Sequence, residues 1–389
     1  MAQAAVDRIV TNFEQKLIMI RRHLHQNPEL SNEEFETSAA IRAWLEEAGI
    51  AILDFPLETG VIAEVKGKGD GPTIAFRADI DALPIQEETD LPFASKVPGK
   101  MHACGHDFHT ASILGAAYLV KQKEETLNGT VRFIFQPAEE NGGGALQVIK
   151  SGALEGVQAV FGMHNKPDLP VGTIGIKPGA LMASVDGFKI EVEGVGTHAA
   201  VPDNGIDPIV TAAHIVTALQ TIVSRNISSL HNAVVSVSSM HSGSTWNVIP
   251  SKAVLEGTVR TFQEEVRKQI PAHIRRVIEG VAAAYGANVS LHWYAGPPSV
   301  QNDEELTKLS IQVAQKAGLE VVKPAPSPAG EDFAFYQEKI PGSFVFMGTS
   351  GTKEWHHPAF TVDERALQSS AHFFAVLAEE ALNKLGGNR

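Results

Sequence analysis

At 389 residues the chain is longer than one hydrophobic core usually serves, so two domains are expected. With 43% hydrophobic and 20% charged residues it reads as a soluble globular protein, and its net charge of −13 argues against a nucleic-acid surface, which needs clustered Lys and Arg. A single cysteine excludes an internal disulfide framework and suits a reducing compartment. No apolar run approaches the roughly eighteen residues of a membrane span. The opening MAQAAVDRIV lacks a basic segment followed by an apolar run, so the expectation is a cytoplasmic protein.

In chain order, Val6, Ile9, Val10, Phe13, Leu17, Ile20 and Leu24 recur at helical spacing until Asn27-Pro28 stops the run. A second amphipathic helix is expected over 33–48, ending near Gly49. Strand-like runs follow at 61–67, 73–80, 130–135 and 158–164, the last three almost continuously apolar, as in strands buried on both faces. Helical stretches around 110–123 and 143–151 separate them, which argues for an α/β domain with a mostly parallel sheet flanked by helices. From about 184 the strands alternate polar and apolar instead. The order there is strand 185–194, helix 207–224, strands 233–243 and 253–262, helix 264–285 and strand 288–294, a β-α-β-β-α-β pattern typical of a small α+β domain. After Pro297-Pro298 the α/β texture returns, with a strand at 344–348 and a C-terminal helix from 363. The reading is a catalytic domain in two segments, 1–183 and 295–389, with a lid domain inserted at 184–294.

Residues 101–110, MHACGHDFHT, place the one cysteine among three histidines. A buried cysteine usually has apolar neighbours, whereas sulfur beside imidazole and carboxylate is the company of a transition metal. In open α/β sheets ligands bind beyond the carboxyl ends of the strands, so those ends test the suspicion. The strand at 73–80 ends with Asp79 and Asp81, that at 130–135 runs into Glu139 and Glu140, that at 158–164 ends at His164, and that at 344–348 leads to His356 and His357. Each piece alone has a bland reading: hydrogen-bonded histidines for His102 and His109, a solvated face for the Glu pair, a core histidine for His164, turn caps for the two aspartates. Their convergence at strand ends favours metal. Two divalent cations sharing a water lower its pKa, and a neighbouring carboxylate left out of the coordination can take its proton. On this reading Asp79 orients a ligand from behind.

The segments RADIDALP (77–84), MHACGHDFHT, QPAEEN (136–141), FGMHNKPDLPVGTIG (161–175), THAAVPDNGIDPI (197–209), NVIP (247–250), GEDFAFY (330–336) and HHPAF (356–360) together resemble the amidohydrolase branch of the aminoacylase and carboxypeptidase type dinuclear metallopeptidases. Within it they are most similar to bacterial deacylases of N-acetyl amino acids. The resemblance implies two divalent metal ions, zinc or manganese first and nickel or cobalt as alternatives, on Cys104, His106, Glu140, His164 and His356. It implies Glu139 as general base, with metal-bound water attacking the amide carbonyl of an N-acyl amino acid. It further implies His198 at the scissile carbonyl, Asn247 and Arg260 at the substrate carboxylate, and a lid that pairs two copies in a homodimer or higher homo-oligomer. Where the wider family has His-x-Asp, this chain has Arg77-Ala78-Asp79, which leaves the native metal open. The rivals are a metal-dependent exopeptidase or dipeptidase sharing the same core, and a silent binding protein, which predicts a lost ligand or base. A dinucleotide oxidoreductase is prompted by GGGA at 142–145 but lacks the Gly-x-Gly-x-x-Gly spacing.

Overall fold

The computed structural model describes residues 2–387, with side chains from residue 12 onward. The side chains of Val6, Ile9 and Val10 lie outside the described residues. Two compact units emerge, one formed by 1–181, 301–325 and 332–389, the other by 182–300 and 326–331.

The first unit is built on an eight-stranded sheet in the order Ala51–Leu53, Val61–Lys66, Thr130–Gln136, Thr73–Asp79, Val157–Lys166, Gly342–Gly348, Thr173–Gly175, Glu320–Val322. The four central strands, from Thr130–Gln136 to Gly342–Gly348, run parallel. Antiparallel pairings enter on either side of them. The central strands are buried almost throughout, as their continuous apolar runs require. Phe76 sits at their centre, its ring 5.9 Å from Phe133, 6.0 Å from Phe161 and 5.2 Å from Phe374, all edge-to-face. Full burial of each such ring stabilises the unit by about 1.5–3 kcal/mol.

The helices Ala2–Gln26, His106–Gln122 and Ala366–Gly386 pack on one another against the sheet. His106–Gln122 is buried on nearly every face, so it has little polar stripe. Gly115 marks its closest crossing: a Cβ there would stand 2.8 Å from Ala371 Cβ and 2.9 Å from a Leu17 methyl. Because the central strands share one direction, Asp79, Gln136, His164 and Gly348 reach the same end of the sheet, and the loops after them converge.

The second unit has a four-stranded antiparallel sheet in the order Ala233–Ser242, Lys252–Thr261, Asp186–Glu193, Asn288–Ala295. Alternate residues of Asp186–Glu193 are buried, and Phe188, Ile190 and Val192 meet Ile215 and Leu219 of helix Pro208–Thr221 and Ile270, Ile274 and Ile278 of helix Glu264–Tyr285 in its core. Asp207 caps the first of these helices, its Oδ1 accepting from Ile209 N at 2.8 Å. Among the described residues no helix is long and apolar enough to cross a membrane.

Candidate metal centre

The loops at the carboxyl end of the parallel strands bring Cys104, His106, Glu139, Glu140, His164 and His356 together. Cys104, His106 and His164 offer donor atoms within 4.8 Å of one another, as do Cys104, Glu140 and His356, so Cys104 is common to two donor groups. Cys104 Sγ lies 3.3 Å from His164 Nε2, and Glu140 Oε2 lies 3.5 Å from His356 Nε2. Glu139 joins a third group with His106 and Glu140. The donor set fits a pair of divalent ions on an observation of its own. His106 Nε2 and Glu140 Oε1 face each other at 3.8 Å, both buried and neither with a hydrogen-bond partner. Buried polar atoms are rarely left so without a ligand to take them.

The chain aims these side chains through strained backbone. Ala138, just before the Glu pair, has φ +54° and His356 has φ +64°, a region costing roughly 1–3 kcal/mol for a residue with a Cβ. Contacts hold both in place: Ala138 N donates to the buried carboxylate of Glu34 at 2.8 Å, and His356 N donates to Ala103 O at 2.9 Å.

Two aspartates stand behind the donors. Asp81 accepts from His106 Nδ1 at 3.1 Å, from Ser31 Oγ at 2.7 Å and from Glu140 N at 3.0 Å, which turns His106 Nε2 toward the centre and fixes the Glu140 backbone. Asp79, expected to orient a ligand, accepts from His109 Nδ1 at 2.6 Å and Arg77 Nη1 at 2.8 Å, and its Oδ2 lies 3.7 Å from His106 Nε2. The physical reason lies in the helix, whose residues 106 and 109 fall on one face and present two imidazoles to two carboxylates. His109 Nε2 accepts from Asn165 N at 2.8 Å, so its ring is engaged at both nitrogens. The sequence assigns no role to Glu34 or Asn165, and the orienting role read from it falls on Asp79 and not on Asp81. For Asp81 the signal was present, two residues past a strand end.

Residues 75–380 match Peptidase family M20/M25/M40. The chain belongs to this family. It is 61% identical over 367 residues to N-acetylcysteine deacetylase of Bacillus subtilis (strain 168), covering 94% of this chain and 97% of the relative. It is 55% identical over 374 residues to N-acetyl-L-cysteine deacetylase of the same organism, covering 96% and 90%. A solved Bacillus subtilis structure described as a dinuclear metal binding peptidase from the M20 family superposes with a TM-score of 0.88 at 57% identity, covering 96% of this chain and 99% of that one.

In this M20 chain the electrostatics of the centre favour positive charge. Burial opposes protonation of His106, yet Asp79, Asp81 and Glu140 outweigh it and push its imidazolium up to about 10. Burial, then Glu140, Glu139 and Asp79, raise the Cys104 thiol well above its ordinary range, so the thiolate needs a cation to take up its charge. Burial holds His164 well below the ordinary histidine value, leaving a neutral ring; its Nδ1 donates to Asn165 O at 2.9 Å and Nε2 carries the lone pair toward Cys104. His102, buried with neither ring nitrogen hydrogen-bonded, is held neutral at about 4 by burial.

His198, Asn247 and Arg260 lie on the second unit. His198 pairs with Val248 in a two-stranded ribbon, next to Asn247, whose carbonyl accepts from Ala199 N at 3.0 Å. His198 Nδ1 accepts from Ala200 N at 3.1 Å, which leaves the neutral ring's proton on Nε2. Arg260 is half-buried and donates to Val259 O at 3.0 Å and to Thr258 Oγ1. Burial disfavours its charge, and the carboxylate of Asp186, itself paired with Arg267 at 2.9 Å, favours it.

Proposed function

We propose that the protein is a metal-dependent amidohydrolase that cleaves the amide of an N-acyl amino acid, with N-acetylcysteine as the first substrate to test. What carries this reading is the centre in which Cys104 joins two donor groups, in a chain 61% identical to an N-acetylcysteine deacetylase over nearly its whole length. Cys104, His106, Glu140, His164 and His356 would hold two divalent ions; the imidazoles and carboxylates suit zinc, manganese or cobalt, and the thiolate adds a preference for the softer of them. When bound, such a pair supplies Lewis acidity, lowering the pKa of a water and neutralising charge on the acyl oxygen.

The chain's own residues do the rest. Glu139, half-buried beside the donors, takes a proton from the attacking water and returns it to the leaving nitrogen as the C–N bond breaks. His198, in its own chain's site or in that of a paired copy, donates Nε2–H to the oxyanion. Arg260, half-buried with its guanidinium bonded to Val259 O and Thr258 Oγ1, pairs with the substrate's α-carboxylate, and Asn247 adds an amide donor. The oxidisable thiol suits a reducing cytoplasm. The edge strand Ala233–Ser242, with Val234 and Met240 exposed, supports pairing of two copies through the second unit.

The test is release of free amino acid from N-acetylcysteine, other N-acetyl and N-benzoyl amino acids, and dipeptides. Preference for N-acyl amino acids supports the proposal. Preference for dipeptides would establish the second reading, a peptidase, which the description of the superposed Bacillus subtilis structure favours.

A further inference from the structure

Asn165 follows His164 near the end of strand Val157–Lys166 and is fully buried, and all four of its polar groups are used within the centre. Its N–H donates to His109 Nε2 at 2.8 Å, and its carbonyl accepts from His164 Nδ1 at 2.9 Å. Its side-chain Nδ2 donates to the carbonyl of Cys104 at 2.6 Å, and Oδ1 accepts from Trp355 Nε1 at 3.2 Å. The partners fix the amide's orientation, because a carbonyl can only accept and an indole N–H can only donate. They fix His109 as well: a backbone N–H points at Nε2, so the ring proton is on Nδ1, toward Asp79.

The residues reached in this way belong to separate stretches of chain, each carrying a candidate ligand: the turn with Cys104, the strand with His164, and the loop with Trp355 and His356. The packing is close. A Cβ on Gly105, which has φ +84°, would lie 2.5 Å from Asn165 Nδ2, so the turn after Cys104 can approach the amide only because residue 105 is glycine. The Trp355 ring also lies 4.4 Å from that of His164.

We propose that Asn165 is the positioning residue of the metal centre, setting the mutual placement of Cys104, His164 and His356 through one amide and one backbone unit. The inference rests on the metal-dependent reading above. A buried asparagine that merely satisfied its own hydrogen bonds would affect stability and leave the donor geometry alone. A positioning residue changes how tightly, and through which atoms, metal is held.

The experiment compares wild type, Asn165→Ala, Asn165→Asp and Trp355→Phe. Affinity for each ion is measured by competition with a chromogenic chelator, and the thiolate-to-cobalt absorption is recorded after loading with cobalt(II). The melting temperature of the metal-free chain is the control for folding. Asn165→Asp keeps the acceptor for Trp355 but turns an oxygen toward the Cys104 carbonyl. Asn165→Ala and Asn165→Asp are each expected to weaken retention of at least one ion by about 10–100-fold, with a reduced or displaced thiolate band. Trp355→Phe, which keeps a ring and removes one donor, is expected to shift both readouts the same way by less. Wild-type affinities and an unchanged band in folded Asn165→Ala overturn the proposal. If that variant does not fold, unchanged affinities and band in Trp355→Phe overturn it. Failure of the wild type itself to bind two ions would contradict the metal-dependent reading instead, before any variant is compared.

Discussion

Glu139 and Glu140 are chain neighbours in different surroundings, and the difference underlies their proposed division of work. Glu140 has its backbone N–H fixed by Asp81 and its carboxylate set between His106 and His356. Glu139 touches the donor cluster from its rim and accepts from Asp332 N at 3.4 Å. Glu139→Gln keeps the shape and removes the base, so amino-acid release should fall by about 10²–10⁴-fold while elemental analysis finds the wild-type metal content. Asp81→Asn is expected to act differently. It weakens the hold on the His106 tautomer, so metal affinity should fall by about 10–100-fold in a chelator competition. The donor-type side chains lie in short motifs, Glu140 and His164 at the ends of strands and Cys104 and His106 at the start of helix His106–Gln122, which is what makes them visible in the sequence. The sequence puts the orienting role on Asp79 rather than Asp81, and does not show that His109 is tied to Asn165, because those pairings depend on which imidazole of one helix face meets which carboxylate. Residues far apart in the chain, such as Glu34 behind Ala138, leave no local mark at all.

The parallel strands of the first unit are legible as elements because burial on both faces requires long apolar runs. The short strands Ala51–Leu53, Thr173–Gly175 and Glu320–Val322 are not, since three residues are too few to show a period. Helix Glu304–Lys316 carried a usable signal that went unassigned: Asp303 accepts from Leu306 N at 2.9 Å as its cap, and two glutamates follow in the first turn. Helix packing makes its own prediction. Gly115→Val puts branched carbon into the crossing with Leu17 and Ala371, so the denaturation midpoint should show a loss of about 1–3 kcal/mol. In the second unit, Asp207→Ala removes a helix cap and should cost about 1 kcal/mol in the same assay.

At the scale of the whole molecule, the change of texture near residue 184 and its reversal after Pro297-Pro298 mark where the chain passes between its two units. The segment 326–331, which also belongs to the second unit, gives no such sign, being too short for its composition to stand out. The thiol, imidazoles and carboxylates gathered in the first unit make metal content the property on which the account turns. The most direct test is to count metal ions per chain and follow hydrolysis of N-acetylcysteine before chelation, after it, and after zinc or manganese is restored. Two ions per chain, activity lost with them and recovered on their return, and a lower melting temperature for the stripped protein are the results predicted here. Full activity in a chain shown to hold no metal would contradict the account.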